Sequence, residues 1–158
     1  MESHAARAKG LFQKGYNCAQ SLLLAFASDV GLDERTASAL SSSFGGGMGR
    51  LREVCGALTA SFMVLGLVYG GYPPGEDAAK AEHYRRVQEM AAAFREANGT
   101  LLCRELLGRP SGPDRYVPDA RTAEYYAKRP CADIIARAAE ALANYLDTHP
   151  PFNHSTLQ

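Results

Sequence analysis

The chain has 158 residues, 46% of them hydrophobic and 22% charged, and its 17 basic and 17 acidic residues give a formal net charge of zero. This length suits a single domain, and this composition excludes a disordered or a fibrous protein. A nucleic-acid-binding surface would show a basic excess, which is absent here.

The first half of the chain shows helical spacing of its apolar residues and none of the alternation typical of strands. Ser3, Asn17 and Asp33 each stand where a side-chain oxygen can cap the helix that follows. A glycine-rich turn, FGGGMGR at residues 44–50, precedes a strongly apolar segment. The helices predicted for this half cover residues 4–14, 18–30, 34–43 and 53–69.

The second half is also predicted to be helical, apart from a proline-rich connection at residues 109–118. Thr100 and Asp119 are candidate caps, and Pro130 suits the first position of the last helix. The predicted helices cover residues 77–98, 101–108, 120–129 and 131–148. The expected buried stripes are Tyr84, Val87, Ala91 and Phe94 on the first of these, and Ile134, Ile135, Ala138, Leu142 and Tyr145 on the last.

These elements predict an all-α fold, a single irregular helical bundle around a central apolar helix at about residues 53–69. A four-cysteine helical domain is expected at residues 1–148 and a flexible tail at 149–158. The apolar run is shorter than the roughly 20 residues of a membrane span, so we expect a core helix and no membrane insertion. Because that helix is apolar all round, a homo-oligomer could complete its burial.

The four cysteines share one position in the predicted helices, since each falls in a first turn. They are Cys18, Cys55, Cys103 and Cys131. A helix N-terminus carries unpaired N–H groups and a partial positive charge, which stabilise a thiolate and make it a better nucleophile or metal ligand. We therefore predict that all four form one catalytic or metal-ligating site. Basic residues lie near each cysteine, but chance accounts for them at this composition.

The simplest alternative is that the cysteines fill the core, because free cysteine is small, apolar and often buried. Their spacing matches no zinc-finger or ferredoxin pattern, and no CxxCH motif for covalent haem is present. Glycines near the cysteines leave room for a cofactor or another backbone, and their N–H groups could face an anion. The candidate cofactor-binding residues are Gly45, Gly46, Gly47 and Gly56.

Several segments resemble the C_GCAxxG_C_C family, a group of small proteins with four cysteines and a CGAxxG motif that are described as redox-active. The similar segments are YNCAQSLL, FGGGMGR, EVCGALTA, CRELLG and PCADII. One position departs from the motif, because Ala60 stands where the family has its last glycine, and the added methyl group could displace a contact there. A similar region of split-Soret cytochromes is thought to hold an iron–sulfur cluster, so the resemblance implies this cofactor as one option.

We expect the four cysteines to act in electron transfer or redox sensing, either as a thiol/disulfide couple or as ligands of an iron–sulfur cluster. In the disulfide version Cys55 is the predicted nucleophile, because glycine-rich backbone flanks it. Such an oxidoreductase-type protein would need a redox partner that the sequence does not identify. The alternatives are a non-enzymatic helical module that binds a partner, with packed cysteines, and a structural zinc site with four cysteine ligands.

The expected compartment is the cytoplasm, because the N-terminal residues MESHAARAKGLFQKG lack the layout of a signal peptide. In a reducing compartment, cysteines are more often free, redox-active or metal-binding than joined in structural disulfides. This setting is consistent with a site built from four thiols.

Overall fold

The computed structural model of the protein describes residues 1–150. In this range the chain is helical, and its one β-type pairing is an isolated antiparallel bridge between Val54 and Leu102. The helices are α1 (His4–Gln13), α2 (Cys18–Phe26), α3 (Glu34–Ser41), α4 (Gly45–Met48), α5 (Gly56–Tyr69), α6 (Asp77–Asn98), α7 (Cys103–Leu106), α8 (Ala123–Lys128) and α9 (Cys131–Thr148). The predicted all-α fold is confirmed.

Side-chain caps set the starts of the first three helices, as predicted. The Asn17 side chain accepts a hydrogen bond from the Gln20 backbone N–H at 2.9 Å, and the Gln20 side chain accepts one from the Asn17 N–H at 3.1 Å. This reciprocal capping box makes Cys18 the first residue of α2. Ser3 and Asp33 cap α1 and α3 with one hydrogen bond each.

The apolar helix α5 begins at Gly56, three residues later than predicted. The backbone of Arg52 is left-handed, with φ of 61°, and Val54 is extended where it pairs with Leu102. The Cys55 N–H donates to the Leu101 carbonyl at 2.9 Å. The predicted start at residue 53 is wrong because this long-range pairing takes the backbone bonds that a helix would need.

Other helix boundaries also differ from the prediction. Helix α2 ends at Phe26 and does not continue to residue 30. The N-cap of α7 is Leu102 and not Thr100, and the cap of α8 is Thr122 and not Asp119. The Asp119 carboxylate pairs with arginine side chains instead, so it is not available as a cap.

The hydrophobic core is built around α2, which contacts α1, α3, α5 and α9. Seven of its nine residues are buried, and each fully buried leucine stabilises the fold by about 1.5–3 kcal/mol. The buried stripe predicted for α9 is confirmed. Helix α5 packs on α2, α6 and α9, but Leu67 on it is 49% exposed. The central position predicted for α5 is therefore not confirmed.

The inner face of α6 is rotated from the predicted stripe, and Tyr84 is exposed. The residues buried on α6 are Arg86, Met90 and Phe94. The Arg86 guanidinium lies 4.2 Å from the centre of the Tyr69 ring, and its Nη1 donates to Tyr145 Oη at 3.5 Å. A pattern of apolar residues places arginine on the outside, so it could not predict this face.

The last described residues pack against the helices. The His149 ring stacks on Tyr145, with ring centres 4.0 Å apart, and the Tyr69 hydroxyl donates to the His149 carbonyl at 2.5 Å. Residues 151–158, most of the predicted tail, lie outside the described residues. Among the helices of residues 1–150, none has the length and hydropathy needed to cross a bilayer.

We predict that Gly56→Ala lowers the free energy of unfolding by about 1–3 kcal/mol, because a Cβ at this position overpacks a tight contact. It would lie 2.5 Å from the Cys18 sulfur and 2.6 Å from the Phe44 carbonyl oxygen. Helix α5 would have to move away from α2. Urea denaturation of the variant and the wild type measures the change.

Gly66→Ala is the matched control in the same helix, because a Cβ at Gly66 meets no atom within 4 Å. This variant should be as stable as the wild type or more stable by about 0.5–1 kcal/mol, since alanine favours helix over glycine. Wild-type stability of Gly56→Ala would contradict the tight approach of α5 to α2.

Candidate functional site

The structure brings all four cysteines to the wall of one cavity of about 200 Å³. Cys18, Cys103 and Cys131 are the first residues of α2, α7 and α9, and Cys55 is the N-cap of α5. All four thiols are free. Helix starts, with their unpaired N–H groups and partial positive charge, therefore converge on the residues that the sequence pattern singled out.

Two glycines allow these helix starts to come close together. A Cβ at Gly56 would lie 2.5 Å from the Cys18 sulfur, so the start of α5 can contact Cys18 only through glycine. A Cβ at Gly47 would lie 2.7 Å from the Cβ of Cys103. Both glycines were candidates for cofactor binding, and the structure places them against cysteine side chains.

The other two candidate glycines, Gly45 and Gly46, line the cavity and begin a left-handed turn. Every φ angle from Gly46 to Arg50 lies between 58° and 68°. Such a run is rare, because a left-handed residue other than glycine costs roughly 1–2 kcal/mol. Two residues of this run, Met48 and Arg50, are not glycine. The Arg52 N–H closes the turn on the Gly46 carbonyl at 3.2 Å, and Arg50 and Arg52 both line the cavity.

Cys18 is the sulfur that ionises most easily. The neighbouring Cys55 thiol is the largest influence on its pKa. The backbone N–H groups of Gly46, Gly56 and Ala19 act in the same direction. Together these groups lower the pKa of Cys18 to about 6, against the opposing effect of burial. The surroundings of Cys18 therefore favour its thiolate form.

The electrostatics favour the protonated form of Cys55. The neighbouring Cys18 and burial raise the pKa of Cys55 well above the ordinary value of a thiol. The choice of Cys55 as the nucleophile stays a prediction. The electrostatics favour Cys18 for that role, since three backbone N–H groups lower the pKa of Cys18 and only that of Ala57 lowers the pKa of Cys55.

Cys103 and Cys131 complete the cavity wall as protonated thiols. Burial raises the pKa of Cys103, although Nη1 of Arg52, 3.5 Å from its sulfur, acts in the opposite direction. Burial and the negative charge of Cys18 raise the pKa of Cys131 to about 11, and Arg129 offsets part of this effect. The surroundings thus favour the thiolate at Cys18 and the protonated thiol at the other three cysteines.

Arginine and aspartate side chains also belong to the site, and the sequence pattern did not reveal them. Arg52 is only 3% exposed and pairs with Asp114 at 3.0 Å, and Arg129 pairs with Asp119. Basic residues near the cysteines had looked like chance, and the connection between α7 and α8 has no periodicity that would indicate its contacts. The position of Arg52 directly after the glycine turn was the one available signal.

Four cysteines are a chemically suitable donor set for zinc or for an iron–sulfur cluster. In the part of the chain that the structure describes, however, no three His, Cys, Asp or Glu side chains are grouped closely enough to hold a metal ion. The arrangement therefore lacks the ligand geometry of the four-cysteine zinc site considered as an alternative.

Comparison with known proteins matches this chain to a family. The family described as "Putative redox-active protein (C_GCAxxG_C_C)" matches residues 16–145, a segment that includes all four cysteines and both glycine motifs. No curated protein and no solved structure matches the chain. Because the match covers most of the chain and includes the whole cysteine site, the protein belongs to the C_GCAxxG_C_C family.

Proposed function

We propose that this protein is a thiol redox protein in which Cys18 and Cys55 form a reversible disulfide couple. The observation that carries the proposal is the closeness of the two cysteines: the Cys18 sulfur lies against Gly56, the residue after Cys55, and Cys55 has the largest influence on the pKa of Cys18. A disulfide couple needs one ionised sulfur that attacks and a second sulfur near enough to resolve the mixed disulfide. The family description supports the same class of chemistry.

The reaction proceeds by thiol–disulfide exchange with an acceptor disulfide. The Cys18 thiolate attacks one acceptor sulfur, which breaks the acceptor S–S bond, releases a first thiolate and leaves a mixed disulfide on Cys18. The Cys55 thiol then transfers its proton to the released thiolate and attacks the Cys18 sulfur, which displaces the second acceptor thiolate. The two cysteines lose two electrons and form one disulfide, and the acceptor becomes one thiol and one thiolate.

Cys103 and Cys131 belong to the same proposal as further thiols of the shared site. Both line the cavity beside the couple, and both are protonated at neutral pH because burial raises the pKa of each. A disulfide between Cys18 and Cys55 can pass to them by exchange once one of them ionises. All four cysteines would then take part in electron transfer or redox sensing.

A second candidate is an iron–sulfur cluster held by these four cysteines. Their position around one cavity that arginines also line favours it, because positive side chains offset the negative charge of a cluster. When bound, the cluster would supply electron-transfer chemistry. Each cysteine would bind iron as a thiolate, so cluster binding would release the protons of the protonated thiols.

A helical binding module with merely packed cysteines is less well supported. One thiol and three backbone N–H groups lower the pKa of Cys18, whereas a cysteine that only fills a core needs apolar neighbours. The redox proposal also places the protein in a reducing compartment such as the cytoplasm, where unpaired thiols persist.

We predict that alkylation of Cys18 by iodoacetamide accelerates as the pH rises through about 6 and then levels off. Above its pKa the sulfur is fully ionised, whereas the rate for an ordinary thiol continues to rise toward about pH 8.5. Mass spectrometry of the peptide that contains Cys18, after timed reaction between about pH 5 and 9, gives the rate profile.

Two variants, Cys55→Ala and Cys55→Ser, distinguish the effect of the Cys55 donor on the Cys18 pKa from an effect of packing. Alanine removes the donor, so the midpoint of the Cys18 rate profile should move toward that of an ordinary thiol. Serine keeps an O–H donor and should move the midpoint less. An unchanged midpoint in Cys55→Ala would contradict the role assigned to the Cys55 thiol.

We predict that mild oxidation of the reduced protein with oxidised glutathione first links Cys18 to Cys55. Cys18 is the one cysteine whose pKa is lowered, and Cys55 is the thiol with the largest influence on it. Non-reducing digestion and mass spectrometry identify the linked peptides. The Cys103→Ser and Cys131→Ser variants serve as controls and should form the same first link.

Protein purified without oxygen and analysed for iron and sulfide separates the two candidate functions. Brown protein with stoichiometric iron and sulfide would replace the disulfide couple with the cluster. Colourless protein that forms the Cys18–Cys55 link would support the couple. Colourless protein that forms no link under oxidation would contradict both versions of the redox proposal.

A further inference from the structure

The cavity that holds the cysteines is lined by more positive than negative side chains. Asp119 is the one carboxylate among its lining residues. The arginines that line it are Arg50, Arg52, Arg121 and Arg129. Most of them are well covered, and the side chains of Arg50 and Arg129 are only 15% and 13% exposed. Positive charge held away from water needs a negative partner.

The carboxylates near these arginines do not supply enough negative charge. Asp114 and Asp119 are shared among Arg50, Arg52, Arg109 and Arg129. In residues 1–150, Arg121 has no carboxylate within 4.0 Å and donates to the carbonyls of Phe12 and Tyr16 instead. Five guanidinium groups against two carboxylates and one thiolate leave two positive charges unbalanced.

Arg52 has the least complete hydrogen bonding of these arginines. Its Nη2 donates to Asp114 at 3.0 Å, but its Nη1 reaches only the soft sulfur of Cys103, at 3.5 Å. Its Nε is buried and has no hydrogen-bond partner, although the side chain is only 3% exposed. Native proteins seldom leave a buried donor unsatisfied, and Arg52 lines the cavity, so its guanidinium lacks acceptors that a ligand in the cavity could supply.

We propose that the cavity binds a small anion with at least two oxygen acceptors, held by the Arg52 guanidinium beside the Cys18 sulfur. Carboxylates and tetrahedral oxyanions present the paired oxygens that a guanidinium binds in two parallel hydrogen bonds. Such an anion balances the excess positive charge and supplies an acceptor for the open guanidinium. The inference rests on the arginines alone and does not require the redox couple.

The size of the cavity limits the ligand further. Its volume of about 200 Å³ is below the roughly 300–1,000 Å³ of pockets that enclose drug-sized ligands. A nucleotide or a folded peptide therefore does not fit inside it. The ligand class is an inorganic oxyanion or a short carboxylate. If the redox couple is also correct, the anion and the Cys18 thiolate share the same cavity.

Isothermal titration of the reduced full-length protein with sodium sulfate tests the inorganic version. Sodium chloride keeps the ionic strength constant, so that general screening does not change. We expect saturable binding of one sulfate, weakened at least about tenfold by Arg52→Gln because a charged donor is lost. Arg85→Gln is the matched control, since Arg85 is 56% exposed on α6 and does not line the cavity; it should change the affinity less than about twofold.

Two alkylating reagents test the carboxylate version at Cys18 itself. Iodoacetate and iodoacetamide both place a carbon on the sulfur with loss of iodide, but only iodoacetate carries a carboxylate. If the cavity binds carboxylates, the iodoacetate-to-iodoacetamide rate ratio at Cys18 exceeds that of the same cysteine in urea-unfolded protein. Arg52→Gln should lower this ratio to the unfolded value, and Arg85→Gln should leave it unchanged.

The outcomes decide between the versions and separate this inference from the redox proposal. Saturable sulfate binding without an iodoacetate preference supports an oxyanion. An iodoacetate preference without sulfate binding supports a carboxylate. The inference is overturned if neither is found in the wild type, whether or not the Cys18–Cys55 disulfide forms. Sulfate binding by a protein that forms neither disulfide nor cluster would retain the inference and contradict the redox couple. The wild-type measurements decide even if Arg52→Gln does not fold.

Discussion

The close contact between Gly56 and the Cys18 sulfur joins the start of α5 to the start of α2, and the rest of the site depends on it. The capping box of Asn17 fixes where α2 begins, and so makes Cys18 its first residue. Gly56 lets the two helix starts touch, because any side chain there would collide with the sulfur. The same contact brings Cys55 and backbone N–H groups near Cys18, and these lower the pKa of Cys18.

The glycine turn between α3 and α5 contributes both to the contact between the starts of α2 and α5 and to the positive charge of the cavity. Its left-handed backbone is unfavourable at Met48 and Arg50, but it places the Gly46 N–H against Cys18 and brings Arg50 and Arg52 to the cavity wall. The irregular connection after α7 is tied to these arginines through Asp114 and Asp119 and not through a large apolar face. These ion pairs therefore hold the connection over the cysteines, and the excess positive charge of the cavity is available to the proposed anion.

The four sulfurs are chemically unequal, and this inequality is what the proposed chemistry uses. Several donor groups lower the pKa of Cys18, Cys103 is buried and Cys131 half-buried beside arginines, and Cys55 is buried with a raised pKa. A set of equivalent packed thiols would all have raised pKa values through burial alone. One thiolate beside a proton-bearing partner suits thiol–disulfide exchange, which needs an attacking and a resolving sulfur.

The sequence by itself determined the all-α class, the caps at Ser3, Asn17 and Asp33, and the position of each cysteine at a helix start, because capping and helical periodicity act between residues close in the chain. It did not determine which groups surround each sulfur, that Arg86 faces inward, or that α5 begins at Gly56. These depend on contacts between distant segments, such as the bridge of Val54 to Leu102 and the pairing of Arg52 with Asp114. Only the tertiary structure decided them, since burial and charge at a residue are set by neighbours that local pattern does not specify.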